Sequence, residues 1–199
     1  MKKILFVVLN SCLWFVIALL FAAMYASVEG SKPWAENLSN CWRPDPGLWW
    51  VQVLYWFPNF GREVNGLDTF GLLLFGTFGF FLVPVWYLTH SQKFSFTQWL
   101  EVLAYFIAIS VIEDWVWYLI NPAFGIYRFS SAFIPPAMHH WFWVIPTQYA
   151  WAFLATIPVG IFSQWPNWKW GLQFLTILWG TMLCLALIVA GIAQYYWIT

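Results

Sequence analysis

QWLEVLAYFIAISVIEDWVWYLINP, residues 98–122, decides what kind of chain this is. Up to Ile120 it has the length needed to cross a bilayer, which takes ~20 predominantly apolar residues. Yet it carries Glu101, Glu113 and Asp114 and no basic residue. An acid near the bilayer centre costs about 2.5–3.5 kcal/mol, whereas each Leu, Ile, Val or Phe returns about 0.3–0.6 kcal/mol. Eleven such residues between 98 and 120 recover roughly 5 kcal/mol. Glu113 and Asp114 would cancel that almost completely. The segment therefore needs partners for its two acids, or a wet pocket in which they are protonated.

Its ends are marked locally. Ser95-Phe96-Thr97-Gln98 fits a capping box at the start. Asn121-Pro122 fits the end, because proline disfavours helix in the residue before it. Four further apolar segments lie at about 4–28, 68–89, 141–162 and 170–197, which predicts a bundle of about five transmembrane helices in a single membrane domain, 1–199. The first follows Lys2 and Lys3 and exceeds the ~7–15-residue apolar core of a signal peptide, so it reads as a retained span. The loop 29–67 contains LWWVQVLYWF (48–57), too short to cross and rich in tryptophan, and so interfacial or re-entrant.

Composition agrees. Of 199 residues 62% are apolar, 24% aromatic and 8% charged, against about 25% charged in a soluble domain. The solvent for most of this surface must be lipid. Net charge is zero and the basic residues are scattered, which excludes a nucleic-acid partner. Cys12, Cys41 and Cys184 have neither disulfide nor zinc spacing. With the N-terminus cytoplasmic, Lys2, Lys3, Lys93 and Lys169 lie inside a plasma or inner membrane and Lys32, Arg43, Arg62 and Arg128 outside, a slight bias in the expected direction. Two stripes of small residues, Ala152/Thr156/Gly160 and Thr176/Gly180/Cys184, have the spacing that lets helices approach closely.

The two central acids define the candidate site. They precede Asn121 by seven or eight residues, roughly 11 Å along a helix. Trp117, Tyr118 and Asn121 extend the polar sector one turn further. In the fourth segment Gln148 and Tyr149 lie about eight residues in, at matching depth, behind a proline, Pro146, that frees a backbone carbonyl. His139 and His140 would sit near the mouth. These residues predict a carboxylate/histidine cavity between the third and fourth helices, open to the non-cytoplasmic side.

Three readings compete for it. Glu113 or Asp114 with His139 or His140 would suit a divalent metal such as Zn, Fe or Mn. Without metal, Glu113, Asp114 and His140 could perform acid/base catalysis on an apolar substrate. Or the acids pair with Arg128 and tie two helices together, as in a non-catalytic accessory subunit bound to partner membrane subunits. Proton or ion conduction through the same cavity is a further alternative. Haem is disfavoured, because His90 falls at the opposite membrane face from His139 and His140.

The order Glu113-Asp114-x-x-Trp117, Asn121-Pro122-x-Phe124-Gly125 and His140-Trp141 resembles an E-D-x-x-W, N-P-x-[FY]-G, H-W pattern of small uncharacterised polytopic membrane proteins. The resemblance covers a minor part of the chain and implies a shared polar site without a known activity.

Overall fold

The computed structural model describes residues 2–29, 95–121, 124–130, 132, 141–142 and 145–198. Among them are four helices: α1 (Lys2–Glu29), α2 (Phe96–Ile120), α3 (Thr147–Ser163) and α4 (Trp168–Ile198). A 3-10 turn (Ile126–Arg128) and a minimal antiparallel hairpin, β1 (Trp141–Phe142) with β2 (Ile145–Pro146), join α2 to α3. The expected span 68–89, the loop 29–67 with its segment 48–57, His90, His139 and His140 lie outside the described residues. The fold is all-helical, and α1, α2 and α4 are long and apolar enough to cross a membrane.

α2 contains neither glycine nor proline, so nothing interrupts it. Ser95 is its N-cap, but the capping box does not form: the Ser95 hydroxyl meets the Thr97 hydroxyl at 2.9 Å and makes no cap bond. Asn121 ends it in extended geometry (ψ 122°), as a residue before proline should. The chain then folds back: Gly125 donates its N–H to the Tyr118 carbonyl at 3.1 Å with φ 64°. That left-handed conformation is one that glycine adopts without strain.

α2 is the hub. It packs against α1, α3 and α4, and α4 also touches α1 and α3. Of the candidate membrane-crossing window 56% is buried in α2, against 33% in α1 and in α4, so among the described residues α2 is the most buried of the three. Tyr105 of α2 meets Phe174 of α4 edge to face at 5.6 Å. The α3 stripe packs as expected: a Cβ on Gly160 would come within 2.5 Å of the Leu175 side chain, and buried Thr156 accepts a 3.0 Å bond from the Trp179 indole. Among the described residues the α4 stripe has no such neighbour: Thr176, Gly180 and Cys184 are exposed, with nothing within 4 Å of a Cβ built on Gly180.

The fourth predicted segment needs correction. α3 starts at Thr147, not near residue 141, and Pro146 is its N-cap rather than an interior residue. Residues 141–146 form the hairpin instead, with Trp141 opposite Pro146. A proline without an N–H suits the boundary position, where a helix needs no donor from it. At 17 residues α3 is ~25 Å long, shorter than the ~30 Å hydrocarbon layer.

Candidate functional site

Asp114 of α2 meets the start of α3. The Tyr149 hydroxyl donates to Asp114 Oδ2 at 2.8 Å. The Gln148 amide lies 3.5 Å from the same oxygen, beyond the usual 2.7–3.2 Å for N–H···O, so Tyr149 is the stronger partner. The reason differs from the expected one. Gln148 and Tyr149 stand in the first turn of α3, not eight residues inside it, because the helix begins later. Glu113, 100° round the helix, is 5% exposed and points into the bundle, whereas Asp114 is half-buried.

The returning segment roofs this site with rings. Phe129 stacks on Tyr149 (6.2 Å, 10° between planes) and also meets Tyr118 and Trp141, each at 5.5 Å. Phe124 wedges between Trp117 and Tyr118 at 5.5 and 5.3 Å. Each such ring contact contributes about 0.5–1.5 kcal/mol beyond its area burial. The glycine turn at Gly125 makes this return possible. Tyr149 is thereby held on one side by Asp114 and on the other by Phe129.

Two donors in this shell are buried without a hydrogen-bond partner among the described residues, the indole N–H groups of Trp117 and Trp141. A buried donor left unmade costs about 1–3 kcal/mol. Asn121 is buried at the end of α2, and Arg128 is exposed on the 3-10 turn. Among the described residues no three His, Cys, Asp or Glu side chains converge as a metal site. The expected histidine ligands are not among those residues.

Sequence reasoning gave Phe124 no role beyond its place in the Asn121-Pro122-x-Phe124-Gly125 pattern and missed Phe129, because both depend on the chain reversal at Gly125. It also missed a polar contact between α1 and α2. Ser11, buried in α1, bonds the Val7 carbonyl at 2.8 Å, and the Tyr105 hydroxyl reaches the same carbonyl at 3.4 Å. At the other end of α2, Glu101 accepts a 3.0 Å bond from the Gln164 amide just beyond α3.

Among protein-family models, curated proteins and solved structures, none matches this chain.

Proposed function

We propose that this is a multi-pass membrane protein whose Glu113–Asp114 pair forms an acid/base site for an apolar substrate arriving from the bilayer. The observation that carries the reading is the 2.8 Å bond from Tyr149 to Asp114, made across 35 residues under a roof of aromatic rings. A phenol donor fixes one carboxyl oxygen and leaves the group able to exchange its proton, while the rings packed on Tyr149 hold the donor in place. Asp114 is the proton-handling group, Tyr149 and Gln148 position it, and Glu113 is the second acid of the pair. His139 and His140 remain candidates for a proton partner, or for ligands of a divalent metal shared with the acids. Elemental mass spectrometry of the purified protein tests the metal version directly.

Topology supports the five-span count. Lys2 of α1, Glu101 of α2 and Trp170 of α4 line one cleft, so these three helices start at the same end of the bundle. A chain that leaves α1 at one end and enters α2 at the other fits one further crossing between them. Lys2, Lys3 and Lys169 gather at that starting end and Arg128 lies at the far end, which favours a cytoplasmic N-terminus.

One observation favours a second reading. Tyr149 already satisfies Asp114, so the acid could serve only to dock α3 on α2, as in an accessory subunit. The indoles of Trp117 and Trp141, buried without an acceptor among the described residues, argue the other way, because a purely structural tie would not leave two donors unmade beside it. Infrared difference spectroscopy across a pH titration separates the two. Under the acid/base reading a protonated-carboxyl band changes with pH in the parent and disappears in Asp114→Asn or Glu113→Gln. A parent protein with no such band would reduce the site to a tie between helices.

A further inference from the structure

A second site lies at the opposite end of α2. Lys2 and Lys3 of α1, Glu101 of α2, Gln164 after α3 and Trp170 of α4 surround an open cleft of about 400 Å³. Its apolar wall is made by Val7 and Phe174, both buried, and by Phe6, which is exposed at its mouth. All these residues sit at helix ends, so the cleft lies at the edge of the bundle rather than in its middle. Trp99, Trp165 and Trp168 are exposed at the same end. Tryptophan concentrates where the hydrocarbon layer meets the headgroups, which places the cleft at headgroup depth.

The lining carries both signs of charge, and that limits what fits. The Lys3 ammonium stands 5.9 Å from the centre of the Trp170 ring, which steadies it at the rim. Within the cleft Gln164 donates its amide to Glu101 at 3.0 Å. A purely anionic ligand would meet the Glu101 carboxylate, and a purely cationic one would meet two lysines. A ligand with a phosphate and an ammonium a few bonds apart satisfies both.

We propose that this cleft binds the headgroup of a zwitterionic amino-phospholipid, phosphatidylethanolamine being the simplest, with the phosphate at Lys2 and Lys3 and the primary ammonium at Glu101. A primary ammonium can donate hydrogen bonds to the carboxylate, which a trimethylated headgroup cannot. The phosphate takes a point-charge contact from lysine. Phe6 at the mouth gives the glycerol and upper acyl carbons an apolar path to the lipid-facing side of α1, where Leu5 and Leu9 are also exposed. The proposal uses the membrane placement argued above and is independent of the chemistry at Asp114.

The test is native mass spectrometry of the detergent-purified protein with an equimolar mixture of phosphatidylethanolamine, phosphatidylcholine and phosphatidylglycerol of identical chains. The parent should retain phosphatidylethanolamine about tenfold over either competitor, a difference of ~1.4 kcal/mol. Glu101→Gln should remove the preference over phosphatidylglycerol. Lys2→Ala with Lys3→Ala, at exposed positions that do not threaten folding, should weaken retention of all three lipids. Lys169→Ala and Asp114→Asn should leave the pattern unchanged, so loss of the Asp114 chemistry and loss of this site are distinguishable. Equal retention of the three lipids by the parent, or an unaltered preference in both cleft variants, would overturn the proposal. Soluble phosphoethanolamine binding as tightly as the lipid would overturn its lipid source. Sedimentation with membranes before detergent is added checks the membrane placement separately.

Discussion

α2 is tied to α3 twice, and the two ties differ in everything except their chemistry. At one end Glu101 accepts from Gln164 at 3.0 Å, and at the other Asp114 accepts from Tyr149 at 2.8 Å. Thirteen residues separate the acids, ~20 Å along the helix. Glu101 opens into a cleft with two lysines, whereas the partner of Asp114, Tyr149, is stacked on Phe129, which also meets Tyr118 and Trp141. A hydrogen bond of similar length can therefore be a replaceable contact or a fixed one, depending on whether water can take its place. The surroundings, more than the acids, separate the proposed headgroup site from the proposed acid/base site.

The largest test of that contrast is Phe129→Ala. This ring touches Tyr149, Tyr118, Trp141 and Trp115, the last at 6.4 Å, so its loss opens the roof over Asp114. Buried Phe→Ala changes cost about 3–5 kcal/mol, and half-buried Phe129 should fall at the lower end, about 3. Unfolding in mixed detergent micelles measures it, and a loss under ~1 kcal/mol would mean the rings merely abut the site. Tyr149→Phe comes next. It leaves the ring stack intact and removes the donor alone, at about 1.5–3 kcal/mol if Asp114 is ionised. Gln164→Ala at the wet end should cost least of the three, about 0.5–1 kcal/mol, because water can replace the amide. If Gln164→Ala proved as damaging as Tyr149→Phe, the distinction between the two ends would be lost.

What the sequence made legible follows from the range of the forces involved. Helix length, apolar content and the stop at Asn121-Pro122 are local properties, and α1, α2 and α4 match their predicted spans closely. The meeting of Asp114 with Gln148 and Tyr149 was also legible, because a buried acid demands a partner and few polar residues were available. Pro146 is ambiguous in the sequence, since proline can kink a helix interior or stand at its start, and here it caps one. The roof was illegible because Phe124 and Phe129 look like any other apolar residues until the chain reverses at Gly125. The two small-residue stripes carry a sharper lesson. Spacing shows which residues share a helix face, not what that face meets, and among the described residues Gly160 packs against Leu175 while Gly180 meets no neighbour.

The smallest expected change in stability is also the most informative. Asp114→Asn keeps an oxygen where Tyr149 donates, and at the α2–α3 contact an amide occupies nearly the same volume as a carboxyl. The bond to Tyr149 weakens toward the ~0.6 kcal/mol average between membrane helices, but a neutral amide costs less to bury than a carboxylate, so the unfolding free energy should move by less than ~1 kcal/mol. The exchangeable proton, however, is gone. A purely structural tie would be content with the amide, and every property of the protein should survive the exchange. The acid/base reading requires the titrating infrared band to vanish while the fold persists. Pairing the substitution with Tyr149→Phe sharpens the result further: once Asn stands at 114, removing the phenol should cost about 0.6 rather than 1.5–3 kcal/mol. That drop measures how much of the tie at the roofed end of α2 comes from charge.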